Sequence, residues 1–280
     1  MNIKIISDST CDLSRQLLES NGISLVPLTV IKADQQFKDG ITITAADIFD
    51  HVAKGGALCS TAANSIGEYA DVFAEYAPNY DGVIHINIGS HFSSCYQNAC
   101  LAAEDYPNVR VIDSQNLSTG QGLVVLKACE LSKTAADLDQ LAEELRAFTE
   151  KVEASFLVDK LDYLVKGGRC SSAAALGANL LNLKPCIEVK DGKMSVVKKY
   201  RGKYDKCLAS YVKDRLANRD DLDGGTLFVT KTVVSDECYS AVMGAVSEYG
   251  KFENIYETDA GCTVSCHCGP GTLGVLFVRK

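Results

Sequence analysis

The sequence has 280 residues, 46% of them hydrophobic and 23% charged, which excludes a disordered or fibrous chain and is enough for one large domain or two of ordinary size. Its formal net charge of −8 argues against nucleic acid as a general partner. The opening stretch turns polar at Ser7-Asp8 after a few apolar positions, and no apolar run reaches the roughly 20 residues that span a bilayer. The expectation is a cytoplasmic protein with no integral membrane association.

Residues 3–6 predict a buried strand, followed by the polar loop Ser7-Asp8-Ser9-Thr10. Asp12 is placed to cap a helix running to Asn21, with Gly22 as its terminator. Residues 25–31 predict a second strand, interrupted early by Pro27. Thr44 and Asp47 have the spacing of a capping box, for a helix that ends at Gly55-Gly56. A hydroxyl-rich loop, Ser60-Thr61-Ala62-Ala63-Asn64-Ser65, leads into a helix reaching about Tyr76.

Residues 81–88 predict a strong strand, joined through Gly89-Ser90-His91-Phe92-Ser93-Ser94 to a helix over 95–105. Residues 109–112 form the next strand, Asp113-Ser114 close it, and Gly120-x-Gly122 opens a helix. The recurring order of strand, polar loop and helix predicts a parallel α/β sheet. In such sheets ligands bind at the C-terminal ends of the strands, where the hydroxyl-rich loops are expected. Leu138, Leu141, Leu145, Phe148 and Val152 mark an amphipathic helix by their spacing of three and four. The domain change is placed after it, giving an N-terminal parallel-sheet α/β domain over 1–152 and a C-terminal mixed-sheet α/β domain over 153–280.

In the second half, residues 155–158 predict a strand and 161–166 a short helix closed by Gly167-Gly168. The apolar run 173–181 predicts a buried helix. Residues 186–189 and 194–197 form a hairpin across Asp191-Gly192. Helices over 204–216 and 236–249 alternate with strands over 226–230 and 252–256, and 272–278 is a final strand.

The twelve cysteines lie mostly in apolar segments, with no Cys-x-x-Cys pair, and are read as reduced packing residues. The segment Ser265-Cys266-His267-Cys268-Gly269-Pro270-Gly271 holds one of four histidines. As a zinc site it has half the required spacing, Cys262-x₃-Cys266, but no second pair. Read as extended chain, it points Cys266 and Cys268 to one side and His267 to the other, so no metal is expected.

As an anion site the segment is better suited. Gly269 and Gly271 permit close backbone approach, His267 can donate to a carboxylate or phosphate, and Ser9, Thr61 and Ser93 add hydroxyls. Each hydroxyl alone reads equally well as a helix cap; their convergence with His267 favours a site. A His267–Ser93–Asp8 triad lacks the Gly-x-Ser-x-Gly elbow, yet an enzyme acting on a small carboxylated or phosphorylated substrate, with His267 as acid–base, stands as the alternative. His85 is expected to pack within its strand, His51 to lie on a helix surface, and His91 in the Ser93 loop. Lys193, Lys198, Lys199, Arg201, Lys203 and Lys206 form a basic segment in an acidic chain. It reads as a solvated hairpin edge that deters pairing, or as a docking surface for an acidic partner.

Taken in order, Ser7-Asp8-Ser9-Thr10-Cys11-Asp12-Leu13, Ser60-Thr61, Ser93 before Tyr96-Gln97-Asn98-Ala99, Asp113-Ser114, Lys166-Gly167-Gly168-Arg169, Lys184-Pro185, Arg201-Gly202 and His267-x-Gly269-Pro270-Gly271 resemble the DegV family. The resemblance implies a two-domain α/β protein that holds one long-chain fatty acid between its domains. It implies a carrier with no catalysis or cofactor of its own, which in bacteria serves a separate ATP-dependent fatty acid kinase. By the same resemblance Thr61 and Ser93 bind the carboxylate, with Ser94 in the same loop and His267 beside them. Arg169 and Arg201 match basic residues of the head-group end or the kinase contact. The chain departs from the family pattern in having Ser93-Ser94-Cys95 where Ser-Gly-Thr is usual, and Lys231 where a histidine is often found.

Overall fold

A computed structural model describes residues 1–175 and 183–280. The first half runs β1 (Ile3–Asp8), α1 (Arg15–Ser20), β2 (Ser24–Val26), β3 (Thr29–Lys32), β4 (Gln35–Lys38), α2 (Ala45–Ala53), β5 (Ser60–Ala62), α3 (Ile66–Tyr76), β6 (Gly82–Asn87), α4 (Cys95–Ala103), β7 (Val109–Asp113), α5 (Ser118–Ser132) and α6 (Leu138–Thr149). The second half runs β8 (Val152–Val158), α7 (Asp162–Gly167), α8 (Ser171–Ala174), β9 (Leu183–Lys190), β10 (Lys193–Arg201), α9 (Tyr204–Leu216), β11 (Leu222–Lys231), α10 (Asp236–Tyr249), β12 (Asn254–Asp259), α11 (Cys262–Cys268) and β13 (Thr272–Arg279).

Strands β2-β1-β6-β7 form a four-stranded sheet in that order, parallel throughout. Every residue of β6 is buried, as expected for a strand covered on both faces. Strands β10-β9-β8-β13-β11-β12 form a mixed six-stranded sheet whose only parallel pair is β11 with β12. The protein is therefore a mixed α/β fold with one parallel and one mixed sheet. The expected hairpin is β9–β10, and Asp191 and Gly192, with φ of 50° and 73°, fit the primed turn that such a hairpin favours.

Three expectations are corrected. The strand foreseen over 25–31 is two strands, because Pro27 cannot continue the ladder: β2 stays in the parallel sheet, while β3 pairs with β4 and β5 in a small antiparallel sheet. Thr61 consequently lies on a strand and not in a loop. Asp12 does not cap α1; Ser14 does, its hydroxyl accepting from the Leu17 N–H. Asp12 instead adopts a left-handed conformation, with φ of 49°. The capping box of Thr44 and Asp47 is present at α2. Of the apolar run 173–181, the first residues lie in α8 and the turn after it, and 176–182 lie outside the described residues.

Helix α5 joins the two sheets. It packs on β1 and β6 on one side and on β8, β11 and β13 on the other, and nearly all its residues through Cys129 are buried. A helix sandwiched in this way has no polar face, and its few polar side chains must find protein partners. Gln121 donates to Ser7 Oγ at 2.9 Å and accepts from the Thr10 hydroxyl at 2.8 Å, and Thr119 shares a hydrogen bond with Thr230 of β11. One contiguous apolar core follows, running from Ile6, Ile84 and Ile112 through Val124 and Val125 to Phe156, Phe228 and Leu276. A second core lies between the back of the mixed sheet and α9 and α10.

Close packing of α5 depends on Gly122, where an added Cβ would lie 2.8 Å from the Cys11 carbonyl oxygen. In α10, by contrast, a Cβ on Gly244 would meet nothing within 4 Å. Gly122→Ala should therefore destabilise the protein by about 1–3 kcal/mol through overpacking. Gly244→Ala should stabilise it by about 0.5–1 kcal/mol through helix propensity. Urea unfolding of the two variants side by side checks both signs.

Candidate ligand-binding site at the His267 helix

The segment expected to be extended is helical. Cys262–Cys268 forms α11, with Gly261 as its N-cap and Gly269, at φ 74°, ending it. Seven residues of modest helix propensity do not hold a helix alone. This one is held by two carboxylates from the first half of the chain. Asp39 accepts from the Cys262 N–H at 2.9 Å, the Thr263 N–H at 3.3 Å and the Thr263 hydroxyl at 2.7 Å. Asp12 accepts from the Gly261 N–H at 2.9 Å. Asp39 also takes the Ser9 hydroxyl at 2.9 Å, so Ser9 serves this anchor. Burial pushes the Asp12 carboxyl up to about 8, against the pull of donors from Ser118 and Gly261, so it is held largely protonated at neutral pH.

Helical geometry sorts the Cys-His-Cys segment differently from an extended one. Cys262 and Cys266, four apart, share a face and pack with Val30, Ile43, Ile48 and Cys59. Burial raises all three thiols, whereas metal ligation needs thiolates. Among the described residues no group of three or more His, Cys, Asp or Glu is placed to hold a metal ion. His267 leaves the helix on another side, and its Nε2 lies 2.8 Å from Thr61 Oγ1 of β5.

The ring is half-buried, and its Nδ1, fully buried, has no partner among the described residues. Gly167 at the end of α7 backs this edge, and a Cβ there would lie 2.6 Å from Nδ1. Burial, and then the nearby Arg169 charge, lower the His267 pKa to about 4. The imidazole is therefore neutral at physiological pH. Arg169 itself is exposed and joins two segments, donating to the carbonyls of Gly167 at 2.7 Å and Phe92 at 3.4 Å.

Ser93 comes to the same place from the loop between β6 and α4. Its hydroxyl accepts from the Cys95 N–H at 3.3 Å and donates to the Cys95 sulfur at 3.1 Å. Beneath the loop, Asp8 is fully buried and takes hydrogen bonds from the Tyr69 hydroxyl, the Asn87 amide and the Ile88 N–H. Asp8 thus secures the loop and makes no triad with His267. His85 packs in the sheet as expected, edge-on to Tyr69 and Phe73.

Thr61, Ser93, Ser94, Arg169 and His267 line one cavity of about 140 Å³, whose other walls include Leu28, Ile88, Phe92, Leu117, Met194 and Val264. A second cavity of about 30 Å³ shares Leu117, Val264 and Cys268 with it and continues between α5 and the mixed sheet, past Ala154, Phe156, Gly274 and Leu276. Polar groups cluster at one end of an apolar path.

One expectation fails here. The N–H groups of Gly269 and Gly271 do not face a ligand, because they donate to the carbonyls of Ser265 and Val233. These glycines are needed for packing: a Cβ would strike the Tyr163 ring at Gly269 and Asp159 at Gly271. Arg201 is not at the cavity; it ends the exposed edge strand β10, opposite Leu183. The rest of the basic segment, Lys193, Lys198, Lys199, Lys203 and Lys206, is likewise exposed along this edge and the turn after it. Sequence reasoning missed Asp39, whose partners Cys262 and Thr263 lie more than two hundred residues away.

Comparison with known proteins now adds to the geometry. The sequence model described as "Uncharacterised protein, DegV family" matches residues 2–280. The chain belongs to the DegV family. A DegV domain-containing protein of Deinococcus radiodurans is 32% identical over 278 residues, spanning 99% of this chain and 98% of its own. Among solved structures, a DegV family protein from Thermus thermophilus, described for its fatty acid binding, superposes with a TM-score of 0.90 at 28% identity over the whole of both chains. A stearic acid-binding protein from Eubacterium ventriosum gives 0.85 at 27% identity over 99% of this chain and 98% of its own.

The His267 pKa carries a stability consequence. The folded value, about 4, lies below the ordinary 6.5, so between these values the unfolded chain binds a proton that the folded protein refuses. Its contribution is complete above pH 6.5 and is lost as pH falls toward 4, by about 3 kcal/mol in all. Urea unfolding at pH 7, 5.5 and 4.5 should show wild type losing more stability than His267→Gln across that window.

Proposed function

We propose that the protein binds a long-chain fatty acid and presents its carboxylate to a partner ATP-dependent fatty acid kinase. The observation that carries this reading is the Thr61–His267 hydrogen bond, set beside Ser93 at the mouth of an apolar cavity in a chain that superposes end to end on fatty-acid-binding DegV proteins.

The carboxylate sits among the hydroxyls of Thr61 and Ser93 and the His267 ring, with Ser94 and Arg169 at the rim. The acyl tail passes Leu117 and Val264 toward the seam between α5 and the mixed sheet, and so lies between domains divided near residue 152. Burying about fifteen methylenes at about 0.8 kcal/mol each supplies roughly 12 kcal/mol of gross driving force. Losses of ligand freedom oppose it. Affinity comes from the tail; the polar groups keep the carboxylate from being buried unpaired.

In the kinase step a carboxylate oxygen attacks the γ-phosphorus of ATP, an acyl phosphate forms and ADP leaves. This chain needs no nucleophile for that reaction and acts as carrier in the cytoplasm, without a cofactor. Arg169 and the basic edge with Arg201 are the surfaces that face the kinase. The enzyme alternative is less favoured: a histidine near 4 is unprotonated at pH 7 and a weak base, whereas acid–base catalysis works best with a pKa near the operating pH.

Removing the two hydroxyls separates head-group binding from tail binding. Thr61→Ala and Ser93→Ala should each weaken palmitate binding by about tenfold to a hundredfold, the worth of one hydrogen bond to a charged group. Titration by displacement of a fluorescent fatty acid measures this. Unchanged affinity in the double variant rejects the carboxylate assignment.

A further inference from the structure

Ser93 has a single hydroxyl hydrogen, and the fold already commits it. The Ser93 oxygen accepts from the Cys95 N–H at 3.3 Å while its hydrogen is directed at the Cys95 sulfur, 3.1 Å away. Cys95 is fully buried at the start of α4 and is not among the residues that line the cavity. Its sulfur also faces the Asn64 backbone N–H, and the Tyr69 hydroxyl, itself bonded to Asp8 at 2.8 Å, lies within reach. Burial raises the thiol to about 11, so sulfur meets Ser93 as a neutral thiol.

The two bonds to Ser93 differ in kind. The backbone N–H fixes where the oxygen sits, whatever side chain occupies position 95. The bond to sulfur fixes only where the hydrogen points, and thiol sulfur is a weak acceptor. A carboxylate is a strong one, because the bond is charge-assisted.

We propose that Cys95 is a positioning residue for the head-group site, holding the Ser93 hydrogen in a weak bond that is surrendered to an arriving carboxylate. This role rests on the fatty-acid reading. A hydroxyl oxygen at position 95 would offer Ser93 a stronger acceptor than sulfur does, so the hydrogen would be released less readily. Removing the acceptor altogether would leave Ser93 placed by the backbone and free to donate.

Palmitate affinity measured in wild type, Cys95→Ser, Cys95→Ala, Ser93→Ala and the double variant Ser93→Ala/Cys95→Ser tests this. Cys95→Ser should weaken binding by about fivefold, the worth of an ordinary neutral hydrogen bond, and Cys95→Ala, which removes the competing acceptor, should bind palmitate more tightly than wild type. In the Ser93→Ala background Cys95→Ser should change nothing, which a merely structural role for Cys95 would not produce. Wild-type affinity in Cys95→Ser, or an equal loss in both backgrounds, overturns the role of Cys95 and leaves the fatty-acid reading standing. A wild-type protein that takes up no palmitate overturns both.

Discussion

The site depends on two carboxylates gripping the start of a short helix. Asp39 and Asp12 satisfy the exposed N–H groups of α11 from positions more than two hundred residues earlier, and they place negative charge or its hydrogen-bonding equivalent where the helix dipole favours it. Without this grip α11 has neither the length nor the composition to persist, and His267 has no fixed direction. The Thr61–His267 contact is therefore a product of docking between the two halves of the chain. Helix α5 supplies the rigid spacer for the same docking, since both sheets close on it.

Electrostatics at the seam follow one rule: charge is kept out of the interior unless a ligand brings it. His267 is neutral, Asp12 is held largely protonated at neutral pH, and the cysteine thiols of α11 are pushed up by burial. Arg169, a cation lining the first cavity, is exposed. A long apolar ligand with a single acidic end suits this arrangement, because hydroxyls, an imidazole and a guanidinium line the first cavity while Leu117, Phe156, Val264 and Leu276 line the second. Among the described residues the Nδ1 of His267 has no partner, and the hydrogen of Ser93 is held only by sulfur.

Much of the scaffold was legible because its signals are local. The Thr44–Asp47 box, the Asp191-Gly192 turn and the periodicity of Tyr204–Leu216 and Asp236–Tyr249 each depend on residues a few positions apart. The failures share the opposite property. Helix α11 was misread as extended because what makes it a helix, Asp39, lies 223 residues away. The glycines after it suggested an anion loop because glycine marks close approach without saying to what; here the neighbours are Tyr163 and Asp159. Pro27 was seen to interrupt a strand, but not that the chain changes sheets there. Thr61, Ser93 and His267 were singled out by residue type and by family resemblance; their meeting at one cavity is a property of the fold.

The account stands on the claim that this cavity holds an acyl chain. Solvent extraction and mass spectrometry of the protein purified under native conditions test it most directly. The expected result is a long-chain fatty acid released at close to one equivalent per chain. Finding no acyl chain, together with no uptake of added palmitate or oleate, would contradict it.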